Sequence, residues 1–343
     1  RIRNLDMRDL KNKLTSGKST KNTQTRKGKS FGYQVLGFGA GGGPTPFIEA
    51  VGGTITTSGD YKLHIFTGPG TFNVTGLPAE PADKIVDYFV VAGGGGSGSA
   101  GGGGAGGGGF RVSNSLGCIS ASPLANPAGI AVTAQAYPIT VGAGGAADAY
   151  PGENSVFSSI TSTGGGTGGS WNSPPSPKPG GSGGGGSSFN TGTLAGGTGN
   201  TPPTTPPQGR DGGPSSSTNA GGGGGGASAV GSPTTGSLAS GGDGSYAVND
   251  FFGPTYASYG QTGPAGRYFS GGGGGGIRYP DVSPNSNSAG LGGGGYSVGC
   301  ATSVSGTTNT GGGGGGGSWS GPGGPRPGGA GGSGIIVIKY KYQ

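Results

Sequence analysis

Apolar residues in this chain gather in short groups of strand length. Thr54-Ile55-Thr56-Thr57, Tyr61-Lys62-Leu63-His64-Ile65-Phe66, Gly70-Thr71-Phe72-Asn73-Val74 and Val86–Val91 are rich in β-branched and aromatic residues, and most alternate with polar ones. Ser58-Gly59-Asp60 and Gly68-Pro69-Gly70 stand between them as turn signals. With the leading run Phe31–Phe38, this pattern predicts a β-rich base over residues 31–92. The last nine residues, Ile335–Gln343, form the most apolar segment of all. They predict a further strand over 335–343 that closes the base sheet. One helical pattern occurs, over residues 4–15, where Met7, Leu10 and Leu14 recur at i, i+3 and i+7 behind an Asn4 cap. About ten residues are marginal as an isolated helix in water, so this helix is expected to dock on a neighbour. Residues 15–30 read as an extended arm.

Between the base and the last strand, residues 93–334 show neither period. Uninterrupted glycine runs at 93–96, 101–104, 106–109, 183–186, 221–226, 271–276, 292–295 and 311–317 alternate with loops that hold most of the remaining aromatic residues. Two of those loops repeat one phrase, Gly168-Gly169-Ser170-Trp171 and Gly316-Gly317-Ser318-Trp319. Composition sharpens the problem. The 343 residues include 94 Gly and 26 Pro, with 29% hydrophobic and 10% charged, against about 45–50% and 25% in an average globular domain. A large aliphatic core is excluded, and the missing Gly-X-Y period excludes collagen. Glycine loses more backbone entropy on folding than any other residue, so ordering it requires many backbone contacts at once. Polyproline-II-type helices meet that need, because their N–H and C=O groups point outward and only glycine lets neighbours close in to exchange hydrogen bonds. The expected fold is mainly β and irregular: a small β-sheet base, a polyglycine-II bundle or sandwich with long loops, and a short N-terminal helix on an extended arm.

Charge is local. Residues 1–30 hold ten Lys/Arg against Asp6 and Asp9, whereas residues 31–343 hold ten basic and eleven acidic residues. The net charge of +7 therefore belongs to a docking arm, with Met7, Leu10, Leu14, Arg8, Lys11 and Lys13 as its expected contact residues. The arm has no aromatic residues for base stacking, which argues against nucleic acid. No apolar run reaches the length of a membrane helix. Cys118 and Cys300 sit in similar contexts, which fit either a disulfide or two buried thiols. His64 is the only histidine and reads as structural. No Cys/His/Asp grouping has metal-ligand spacing, and no carboxylate motif suggests hydrolysis. Gly17-Lys18-Ser19-Thr20 resembles the end of a phosphate-binding loop, but the glycine needed at position 12 is Asn12. We expect no enzyme, no cofactor and no metal. What remains is recognition by loops: Tyr246, Phe251, Phe252, Tyr256, Tyr259, Arg267, Tyr268, Phe269 and Tyr279 form an aromatic and Arg-bearing cluster of the kind enriched at binding surfaces. Phe110, Phe189, Tyr296 and Trp319, which adjoin glycine runs, read instead as packing.

Val86–Ala92 running into Gly93–Gly109, then Ile139-Thr140-Val141-Gly142-Ala143-Gly144-Gly145, then run–loop alternation ending in Gly328–Ile338, resembles the glycine-rich domain of tailed-phage fibre and other virion surface proteins. The plan is also similar to the polyglycine-II tip adhesins of T-even-type phages, whose variable loops correspond to the aromatic segments here. The resemblance covers about residues 51–343 and leaves out the basic arm. It implies a virion location and an appendage that recognises a bacterial surface receptor, a glycan or an outer-membrane protein. It also implies an assembly with other virion structural proteins, joined through residues 1–30, in homo- or hetero-oligomeric form. The alternatives are a capsid or neck decoration protein held by the arm without a receptor, and a secreted cell-surface structural protein.

Overall fold

The computed structural model describes residues 45–117, 124–171, 176–188, 193–215, 220–246, 249–252, 258–278 and 287–343. The expected helix over 4–15 and the whole basic arm, with Met7, Arg8, Leu10, Lys11, Lys13 and Leu14, lie outside these residues. Among the described residues the protein is mainly β, with several sheets and one four-residue helical turn, Asn249–Phe252.

Two sheets form the base. The larger runs β2 (Thr54–Ser58), β3 (Tyr61–Phe66), β14 (Ile335–Lys341), β5 (Ile85–Val91), β6 (Phe110–Ser113) and β7 (Ala125–Asn126), with β8 (Ile130–Ala131) also paired to β5. The smaller runs β1 (Glu49–Val51), β4 (Gly70–Gly76), β9 (Ala136–Thr140), β10 (Ser155–Phe157) and β11 (Ile160–Ser162). The carboxy-terminal strand β14 is central and antiparallel to both neighbours, with Val337 opposite Ile65 of β3 and Phe89 of β5. Its continuous apolar sequence follows from burial on both faces. Ile336, Ile338 and Tyr340, with Val86, Tyr88 and Val90, pack against Phe72, Val74, Tyr137, Ile139 and Phe157 of the smaller sheet. Ile335 and Val337, with Leu63, Ile65, Phe89 and Phe110, face a second cluster containing Phe251, Phe252 and Phe269. Each fully buried side chain of this size contributes about 1.5–3 kcal/mol.

Two buried polar side chains of the base are held by hydrogen bonds or rings. Asp87 is fully buried, and its carboxylate accepts from the hydroxyls of Ser113 and Ser115, both at 2.7 Å, and from the backbone N–H groups of Ser115 and Leu116, both at 2.9 Å. His64 is buried beside Phe72 and Tyr340.

The glycine region departs from expectation in one respect. Residues 110–162 return to the base as β6 to β11, so the stretch 93–334 is not a single uninterrupted block. The remaining runs bond to one another through backbone alone. Successive N–H groups of residues 103–109 donate to three different segments in rotation. Gly103, Gly106 and Gly109 reach Gly169, Gly166 and Thr163; Gly104 and Gly107 reach Gly222 and Gly225; Ala105 and Gly108 reach Gly314 and Gly311, all at 2.7–3.0 Å. The carbonyls of the same run accept from three further segments, through Gly185 and Ser182, Gly276 and Gly273, and Gly95 and Ala92. One backbone thus binds six neighbours, with partners recurring every third residue.

Absence of Cβ, rather than freedom of φ, explains the glycine. None of residues 102–109 takes a left-handed φ; positive values fall at turns such as Gly101 (φ 77) and Gly311 (φ 70) that open the runs. A Cβ at Gly104 would lie against the carbonyl oxygen of Gly273, and one at Gly273 against that of Gly314, well inside the 3.0 Å that Cβ atoms keep.

Candidate functional site

The hydrogen-bond register gives the block two ends. Residues 92–93, 109–110 and 334–335 join it to the base strands, and residues 163, 270 and 311 begin runs beside them. The runs 163–170, 270–276 and 311–317 therefore all travel away from the sheets and emerge at one far end. Trp171, Arg278 and Trp319 follow directly. The repeated Gly-Gly-Ser-Trp phrase brings its two tryptophans together there because both copies close parallel runs.

At that end the Trp171 and Trp319 rings lie 5.3 Å apart between centroids, tilted by 59°, and the Arg278 guanidinium stands 5.3 Å from the Trp171 ring centre. The backbone N–H of Trp319 donates to the Ile277 carbonyl at 2.8 Å, and the backbone N–H of Arg326 donates to the Ser318 carbonyl at 2.7 Å, which turns residues 319–326 back on themselves. All four side chains are half-buried. Two side-chain donors, Trp171 Nε1 and Arg326 Nε, are buried with no hydrogen-bond acceptor. A buried donor left unmatched is destabilising by about 1–3 kcal/mol. We take the Trp171–Trp319 cluster as the candidate site.

The residues predicted from sequence for recognition lie elsewhere. Phe251, Phe252 and Phe269 are buried, packed on Phe89 at ring separations of 6.3, 5.8 and 5.0 Å. Tyr259 is half-buried and stacks on Phe252, while Tyr268 is 8% exposed beside Tyr246. Arg267 sits on the hairpin β12 (Gln261–Gly263) and β13 (Gly266–Tyr268) and donates to the Thr262 hydroxyl. Only Tyr246, at 51% exposure, presents a large open ring. Tyr256 and Tyr279 lie outside the described residues. Phe251, Phe252, Tyr268 and Phe269 are therefore corrected from recognition to packing. The outer face of the larger sheet requires apolar cover, and a chain this poor in aliphatic residues supplies aromatics instead. This segment adjoins the sheets, at the opposite end from the tryptophans.

The packing expectations divide as well. Phe110 is buried in the second core, whereas Tyr296 is 46% exposed and Trp319 belongs to the far-end cluster; Phe189 lies outside the described residues. Cys300 is exposed and forms no disulfide among the described residues, which corrects the expectation of a buried thiol at this position, and Cys118 lies outside them. Among the described residues no three His, Cys, Asp or Glu side chains gather as a metal centre, and no helix is long and apolar enough to cross a membrane.

A fold whose interior is backbone, closed by a β base, is that of a glycine-rich domain. A family model described as a glycine-rich domain matches residues 66–341, and the chain belongs to that family. No curated protein sequence matches it.

Proposed function

We propose that this protein is a virion surface appendage, in which a polyglycine-II sandwich standing on a β base holds recognition loops away from the particle. The observation that carries the reading is the three-residue recurrence of backbone partners, seen in residues 103–109 with their six neighbouring segments. A helix with three residues per turn points successive N–H groups 120° apart and repeats after each turn, which produces this rotation. Such a block is stiff without a side-chain core, so its far-end loops can vary in sequence while the frame stays constant. A rigid stem with variable ends suits a molecule that meets a bacterial surface. The basic residues of 1–30 supply attachment to a neighbouring virion protein. Binding, not turnover, is the chemistry of the far end, where aromatic rings and N–H donors gather.

Two measurements test this reading. Antibodies to the purified protein should label virus particles by immunogold electron microscopy, and the labelled full chain should adsorb saturably to host bacteria. Absence from particles would reject the virion assignment. Presence on particles without any adsorption would favour a decoration role without a receptor.

A further inference from the structure

The far-end cluster also indicates the chemistry of its ligand. This inference rests on the recognition role proposed above and narrows it to one ligand class. The segments that carry Trp171 and Trp319 are rich in Gly, Ser and Pro. Two half-buried rings are far smaller than the face of about 800 Å² that each side of a stable protein interface normally buries. What the cluster offers is compact: two half-buried indoles 5.3 Å apart, and two buried N–H donors, Trp171 Nε1 and Arg326 Nε, that no protein oxygen satisfies. Aromatic rings present an apolar face with a polar edge. A pyranose ring matches both features, with one face of C–H groups to lie on an indole and a rim of hydroxyl oxygens to accept from N–H donors. Small-ligand sites generally combine aromatic lining with a few placed polar groups in this way.

We infer that the Trp171–Trp319 cluster is a saccharide-binding site, with the indoles as stacking platform and Trp171 Nε1 and Arg326 Nε as donors to sugar oxygens.

The protein carries its own reporter. Its only two tryptophans are the two in this cluster, so indole fluorescence reads this site and no other. The full chain would be titrated with polysaccharide extracted from host bacteria and with a panel of simple hexosides. A saturable change in indole emission is expected, and Trp319→Ala should weaken binding at least tenfold, with unchanged circular dichroism and melting temperature. Tyr246→Ala, at the base end, should leave affinity unchanged. On whole cells, periodate oxidation of surface sugars should abolish adsorption while protease treatment should not. The inference is overturned if adsorption survives periodate and is lost to protease, or if polysaccharide binds without altering indole emission. It is also overturned if Trp319→Ala folds and binds as the parent does. In each of these cases particle labelling and cell adsorption can still succeed, so the site assignment fails separately from the virion reading.

Discussion

The base and the glycine block are held together by opposite means. In the base, a few large side chains fill the space between and outside the sheets, and the backbone is spaced by its ladders. Phe89 touches Phe110, Phe251, Phe252 and Phe269 at ring separations between 5.0 and 6.3 Å. In the block there is almost nothing beyond Cα, and the run 102–109 is fully enclosed by other backbones. Its stabilisation comes from many hydrogen bonds, each contributing about 0.5–1.5 kcal/mol net. The contrast teaches that low hydrophobic content does not imply a loose interior. It shifts where the molecule is sensitive: side-chain deletion should damage the base, whereas side-chain addition should damage the block.

The largest effect is therefore expected from the smallest residue. Gly104→Val places branched carbon against the Gly273 carbonyl, in a run whose N–H and C=O are committed to Gly222 and Gly185. No rotamer relieves this, because the obstruction is at Cβ. A loss above about 4–5 kcal/mol, at the far end of the range for single substitutions, is expected by urea denaturation. Gly68→Ala is the control, since nothing lies within 4 Å of a Cβ there and its φ is not left-handed. It should change stability by less than ~1 kcal/mol. Equal sensitivity of the two glycines would contradict the account of a backbone-packed block.

Deletion in the base comes next. Phe269→Ala removes a ring lying 5.0 Å from Phe89 and stacked on Phe252 at 5.8 Å, and should destabilise by about 3–5 kcal/mol. A recognition residue on the surface would show no such loss, so this measurement also checks the correction made to its role. Asp87→Asn is expected to follow, at about 1–3 kcal/mol. The new amide turns an N–H₂ toward donors where a carboxylate oxygen had accepted them, as from Leu116 at 2.9 Å. Both losses should appear as shifts of the urea midpoint with little change of slope.

The strands were legible because their chemistry is local. Alternation and β-branching over 54–91 and 335–343 mark β2, β3, β4, β5 and β14 directly, and the apolar run of β14 also signals its central place. The short strands β7, β8, β10 and β11, of two or three residues each, carry no such signal, since pairing with the base rather than their own sequence makes them strands. The burial of Phe251, Phe252 and Phe269 is not legible for a related reason. Sequence shows that Phe251, Phe252 and Phe269 are aromatic and set in loops, but not that β5 and β14 leave an outer face needing cover. The far-end site had one visible trace, the repeated Gly-Gly-Ser-Trp. Its meaning depended on knowing that runs 163–170 and 311–317 leave the base in the same direction.

The smallest expected effect lies in the base and depends on pH. His64 Nδ1 lies 2.7 Å from the Gly52 carbonyl oxygen, which can only accept, so Nδ1 carries the proton; Nε2 then accepts from the Tyr340 hydroxyl at 3.0 Å. Burial lowers the His64 pKa from its ordinary 6.5; the Gly52 hydrogen bond opposes this, and the positive charge of Lys62 assists it. Burial conversely raises the Tyr340 hydroxyl, which keeps its proton to donate. Below about pH 6.5 the unfolded chain takes up a proton that the folded one resists. The stabilisation from neutral His64 is thus complete above that pH and is lost as pH falls from there through the lowered folded value. The urea midpoint should decline from about pH 8 to about pH 5 in the parent protein, and His64→Gln should flatten that decline while lowering the midpoint at the upper end. A parent midpoint independent of pH across this window would show that His64 takes up its proton without leaving the folded state. The block, which has no titrating interior, should contribute nothing to the slope. A Gly68→Ala protein, changed in the turn between β3 and β4 where a Cβ meets nothing within 4 Å, should follow the parent's pH profile throughout.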